Sequence, residues 1–193
     1  MIETKDEFLQ SLKSSKRLYK LCLVGDGATG KTTFLRYLAT GDLVVCHEGL
    51  KRTPYIDFGS TRIEGNTIQI IDLAGQRFDD AHPLDHIPVA ALRGADIIVF
   101  FFSLENFHSF LSIKSWFDEI QNIFERWNSK LPACILVGNK SDLTRSVESI
   151  NGIEFASHHP EFRSYFEISL LDGEGLIILV NAIQEIMNER SAI

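Results

Sequence analysis

Residues 18–33 read LYKLCLVGDGATGKTT, and the join between the two halves of this stretch decides the fold. LYKLCLV is brief and nearly all apolar, too short for a core helix and suited to a strand buried on both faces. It runs directly into GDGATGKTT, where three glycines, one lysine and three hydroxyl side chains take seven of nine positions. Gly25, Gly30, Lys31 and Thr32 fit G-x-x-x-x-G-K-[ST], and apolar spacing predicts a helix from Lys31 to Ala39. Glycines let consecutive backbone N–H groups face one point, and a helix N-terminus favours an anion at that same point. The run Gly25, Asp26, Gly27, Ala28, Thr29, Gly30, Lys31, Thr32 and Thr33 therefore makes a cradle for a polyphosphate. Lys31 reaches the terminal phosphates as a point charge, and the Thr32 hydroxyl is placed to ligate a magnesium ion carried by them. This loop names neither the base nor the fate of the phosphate.

Outward from the loop, short apolar runs alternate with longer amphipathic ones, a βαβα rhythm that points to an α/β fold with a mostly parallel sheet and helices on both faces. LYKLCLV, ADIIVFFF (95–102) and ACILVG (133–138) are expected as neighbours in the sheet centre. IDFGSTRIEGNTIQIID (56–72) has partial alternation and a Glu-Gly-Asn turn signal around Gly65, which predicts one antiparallel hairpin at an edge. Helices are expected at Lys31 to Ala39, Phe107 to Trp127, Ser146 to His158 and Gly175 to Arg190, with Ser146 and Asp172 as caps or near-caps of the last two. Between Gln76 and Asp96, Pro83 and Pro88 break helical continuity, so a short irregular segment is expected before a helix ending near Gly94.

Length and charge narrow the class. The chain has 193 residues, 45% of them hydrophobic, which suits one globular domain. A formal net charge of −7 and a pI near 5.3 argue against nucleic-acid binding driven by overall charge. Cys22, Cys46 and Cys134 are widely spaced and odd in number, which favours core thiols in a reduced cytoplasmic protein over a disulfide scaffold. No apolar run approaches the length of a spanning helix. Asp80, His82, Asp85 and His86 place two histidines four apart, but the prolines spoil the helical face a metal site would use there, and partner contact is the better reading.

Two further stretches select the chemistry. DLAGQ (72–76) follows the second hairpin strand and NKSD (139–142) follows ACILVG, so both lie with the phosphate loop at strand C-terminal ends, where open α/β sheets bind ligands. With its motifs in this order, the chain resembles the small GTPases of the Ras superfamily over about residues 18 to 190. The resemblance implies a P-loop NTPase-type six-stranded sheet with one antiparallel edge strand, formed by residues 18–193 after an N-terminal extension, 1–17. It also implies GTP/GDP and Mg2+ as ligands, with slow hydrolysis of GTP. Asp142 would accept hydrogen bonds from the guanine N1–H and N2 amino group, a donor pair that adenine lacks. Asn139 would brace its loop, and the stem of Lys140 would lie across the purine. Where the family reads Ser-Ala-Lys, this chain has Ser169, Leu170 and Leu171, so the serine is kept and backbone N–H groups remain for the guanine oxygen. Asp72 would hold magnesium through a water, the Gly75 N–H would meet the γ-phosphate, and Gln76 would orient the attacking water.

A switch also needs a threonine that binds both magnesium and the γ-phosphate, and Thr53 is the candidate. Its separation from Asp72, 72 − 53 = 19 residues, is Arf-like, while SLENFHSFLSIKSWFDEI (103–120) reads more like Rab or Ras. Pro54 departs from the Arf pattern. Phe8, Leu9 and Leu12 share one possible helical face in the N-terminal segment, which is open between a helix packed on its own domain, a frayed tail and an interfacial or regulatory helix. Residue 2 is isoleucine and ERSAI lacks a prenylation cysteine, so no lipidation motif is present. Effector, exchange and GTPase-activating proteins are the expected partners. Two other activities stay open: a guanine-nucleotide binding module with hardly any hydrolysis, and a P-loop kinase acting on a small acceptor, which would leave NKSD unused.

Overall fold

The computed structural model describes residues 17–43, 53, 55–75, 83–85 and 89–191. The N-terminal segment with Phe8, Leu9 and Leu12, together with Cys46, Pro54, Gln76, Asp80, His82, His86 and Pro88, lies outside the described residues.

Six strands form one sheet in the order β2-β3-β1-β4-β5-β6: β1 (Leu18–Val24), β2 (Ile56–Ile63), β3 (Asn66–Leu73), β4 (Ile97–Ser103), β5 (Ala133–Asn139) and β6 (Phe162–Ile168). Every pairing is parallel except β2 with β3. The three expected central strands are indeed adjacent. All seven residues of β4 are buried, because the sheet is covered on both sides. Phe100 and Phe102 enter one core with Cys22, Trp116 and Phe162, while Phe101 enters the other with Leu23, Phe34 and Leu179, as the two-residue strand period requires. The helices α1 (Lys31–Thr40) and α4 (Leu176–Ser191) cover the second core; α2 (Phe107–Arg126) and α3 (Ser149–His158) cover the first.

The hairpin register runs from Ile56↔Leu73 to Ile63↔Asn66. Glu64 and Gly65 make its turn with φ of 48° and 82°, the left-handed pair that tight hairpins use. Asn106 caps α2, its side chain accepting from the N–H groups of His108 and Ser109. Helix α3 starts later than expected. Glu148 is its N-cap in a reciprocal box with Asn151, while the N–H groups of Ser146 and Val147 bond to Leu104 O and buried Val147 anchors the approach. Asp172 is not the cap of α4 either; it accepts from Glu174 N–H in the turn before the helix. In place of a helix ending near Gly94, the described residues carry 3-10 turns at Pro83–Asp85 and Val89–Leu92, consistent with prolines that remove donors and block helical continuation.

Both described cysteines are free and buried, and burial pushes the Cys22 thiol up to about 12 and Cys134 upward as well. They are core thiols. No helix among the described residues is long and apolar enough to cross a membrane.

Candidate functional site

The phosphate loop leaves β1 at Gly25 and enters α1 at Lys31. Gly30 takes φ 108°, and a Cβ there would sit 2.2 Å from the Asn139 amide nitrogen. Only glycine lets the loop lie this close to the end of β5. The Asn139 amide donates to Thr29 O at 2.9 Å, and its oxygen accepts from Leu170 N–H at 3.2 Å. One buried side chain thus ties the phosphate loop, the NKSD turn and the loop after β6 into a single unit.

The loop after β3 is held equally closely. Gly27 N–H donates to Gly75 O at 2.8 Å, and a Cβ on Gly75 would meet Gly25 O at 2.1 Å and Asp26 C at 2.4 Å. Lys31 is buried, its ammonium donating to Gly25 O and Asp26 O at 2.7 Å each. Burial lowers its pKa to about 8, against the pull of Asp72 and Asp26. Thr29 Oγ1 donates to Asp26 O at 2.9 Å. Gly27 and Ala28 form the exposed tip, Ala28 with φ 61°, and Thr33 lies half-buried in the first turn of α1.

Thr53, Thr32 and Asp72 meet. The two hydroxyls are 3.0 Å apart, and Asp72 Oδ2 accepts from Thr32 closely and from Thr53 at 3.4 Å. Asp72 Oδ1 is buried without a hydrogen-bond partner among the described residues. Burial pushes the Asp72 carboxyl upward, with Lys31 and the Thr32 hydroxyl opposing that shift. Two hydroxyls and a carboxylate with one unpaired oxygen are the hard oxygen donors that magnesium takes, so the residues present fit that ion. Thr53, the threonine singled out from sequence, therefore lies beside Thr32 and Asp72.

On the other side of the crevice, Lys140 adopts φ 70° and its ammonium pairs with Glu105. Ser141 Oγ donates to Glu174 at 3.0 Å. Asp142 is exposed in the turn, so its carboxylate is solvated. Ser169 is buried and its hydroxyl accepts from the N–H groups of Leu171 and Asp172 at 3.1 and 3.3 Å. Leu170 is buried; Leu171, at the position of the family's lysine, is 53% exposed. Glu105 and Glu174 were not among the candidates from sequence. Each acts on NKSD from a loop more than 30 residues away, and no local pattern marks it. Asp26 has a further partner in the Trp116 indole.

A mostly parallel sheet with a glycine-rich cradle, an acidic residue beside two threonine hydroxyls and an Asn-Lys-Ser-Asp turn along one edge defines the P-loop nucleotide-binding class. The Ras family model matches residues 20–189, and the chain belongs to the Ras family of small GTPases. It is similar to GTP-binding protein YPTM1 of Zea mays, 34% identical over 134 residues, covering 67% of this chain and 58% of that protein. Ras-related protein RABD2a of Arabidopsis thaliana is 36% identical over 134 residues, with 67% and 60% covered. The Ras and EF-hand domain-containing protein of Danio rerio is 27% identical over 187 residues, 91% of this chain but 26% of that protein. The chain thus spans about three-fifths of the first two relatives and about a quarter of the third. The family match and the Ras-related relative accord with a Ras- or Rab-like chain and give no support to an Arf-like assignment from the spacing of Thr53 and Asp72.

Proposed function

We propose that this chain is a molecular switch that binds GTP and GDP with Mg2+, hydrolyses GTP slowly and alters its contacts with partner proteins according to whether the γ-phosphate is present. The observation that carries this reading is the convergence of three distant segments on one crevice, with Gly30 against Asn139, Gly75 against Asp26, and Thr53 beside Thr32 and Asp72. The amides of residues 25–33 and the Lys31 ammonium hold the phosphates. Thr32, Thr53 and Asp72 would hold Mg2+, which when bound neutralises charge on the phosphate oxygens. Asp142 reads the guanine edge, while Lys140 and the 169–171 loop cover the base. Gln76 orients the attacking water.

The segments around Thr53 and Gly75 are the moving parts, since each borders the phosphate loop, Thr53 at Thr32 and Gly75 at Gly25 and Asp26, where a γ-phosphate would lie. Effectors would read their arrangement, exchange factors would loosen it, and an activating protein's arginine would add on the order of 10³ to 10⁵ in rate. The buried thiols suit a reducing compartment, which supports a cytoplasmic location.

The test is to identify the nucleotide that co-purifies and then to follow single-turnover phosphate release for wild type and Gln76→Leu. Guanine nucleotide with slower release in the variant is expected. A preference for adenine nucleotides would overturn the reading, and equal release rates would remove Gln76 from the reaction.

A further inference from the structure

Trp116 lies on the inner face of α2, fully buried in the core shared with Phe100 and Ile113. A buried indole needs a partner for its N–H. Here that partner is the carboxylate of the phosphate loop: Trp116 Nε1–H donates to Asp26 Oδ1 at 2.9 Å, across 90 residues of sequence. Asp26 is also where the loop is gripped from its other sides. Its carbonyl oxygen accepts from Lys31 and Thr29, and Gly75 packs against its backbone.

An acidic side chain in an anion-binding loop is a liability, since a carboxylate facing the cradle would repel phosphate. The indole removes that liability by directing the charge toward α2, and hydrogen bonds to ionised acceptors are among the stronger ones available for the purpose. We propose that Trp116 is a positioning residue for the phosphate loop, holding the Asp26 carboxylate out of the cradle and thereby setting how long a nucleotide stays bound. Through this bond the register of α2 is coupled to the phosphate loop. The inference rests on the proposed nucleotide site and adds a control on its residence time.

The experiment is a double-mutant cycle on release of a fluorescent GDP, using Trp116→Phe, which keeps an aromatic ring and removes the N–H, in wild-type and Asp26→Ala backgrounds. Trp116→Phe should speed release about tenfold when Asp26 is present and less than twofold when it is absent. An equal effect in both backgrounds, or no effect in the wild-type background, overturns the proposal. A second readout does not need the tryptophan variant to fold. In ¹H–¹⁵N spectra of Asp26→Ala, the Trp116 indole resonance should shift and exchange faster with solvent. The Trp127 resonance, from a ring stacked under Arg93, should stay in place. An unmoved Trp116 resonance refutes the assignment. Should wild type fail to hold guanine nucleotide at all, it is the proposed function that fails, and the spectral test still decides whether the indole holds Asp26.

Discussion

Lys31 links the site to pH in a way that can be worked through. In the free protein its ammonium is buried and its pKa is about 8, so near pH 9 most of the population has lost the charge that the proposed function places on the phosphates. A bound polyphosphate surrounds the group with negative charge and restores an ordinary value of about 10.4 or above. The complex therefore holds a proton that the free protein releases above pH 8, and affinity must fall as pH rises through that window. Between pH 7 and pH 9 the loss is about tenfold in Kd, or ~1.4 kcal/mol, still growing towards pH 10. Competition titrations with a fluorescent guanine nucleotide at fixed ionic strength measure it directly. Lys31→Arg carries a guanidinium that stays charged, so its curve should be flat within about twofold over the same range even if its affinity is lower. A flat wild-type profile, or one that tightens with pH, would show that the Lys31 charge does not contribute to phosphate binding in the way its burial demands.

Other substitutions probe the remaining walls of the crevice. Asp142→Asn should weaken GTP binding by at least about 100-fold, since two charge-assisted hydrogen bonds at ~1.5–3 kcal/mol each are lost, and should improve binding of xanthine nucleotides; unchanged GTP affinity would take Asp142 out of the pocket. Gly75→Ala forces a methyl group into Gly25 O and the Asp26 backbone, an overpacking cost of about 1–3 kcal/mol, which lowers Tm by about 2–4 °C per kcal/mol; an unshifted melt would mean that the two loops separate freely. Thr53→Ala removes a hydroxyl that lies 3.0 Å from Thr32 Oγ1; affinity for a non-hydrolysable GTP analogue should drop about tenfold in Mg2+ while GDP affinity changes less than threefold. Parallel losses for both nucleotides would argue against a switch role for Thr53.

The phosphate side of this site was legible because its chemistry is contiguous. A strand, nine residues and a helix start supply the amides, the ammonium and a hydroxyl without help from elsewhere, and the strands around it are apolar enough to be recognised singly. The base side is different. Asn139 and Asp142 carry a local signature, but what holds them does not: Glu105 reaches Lys140 from the end of β4, and Glu174 reaches Ser141 from the turn before α4. Such partners depend on strand register, which is set by the whole sheet. The sixth strand was hidden for a related reason. Lying at an edge with four of its seven residues half-buried, FRSYFEI shows neither a continuous apolar run nor clean alternation, so only the family resemblance required it. Trp116 combines both cases. Its place on a helical face marks it as core, and so it is, but the nitrogen at its edge meets the phosphate loop only because α2 packs beneath β1 and β4. Periodicity reports which face of an element is buried; it carries no information on which polar atom that burial delivers to a neighbouring loop, so the bond from Trp116 to Asp26 is visible only in the packed fold.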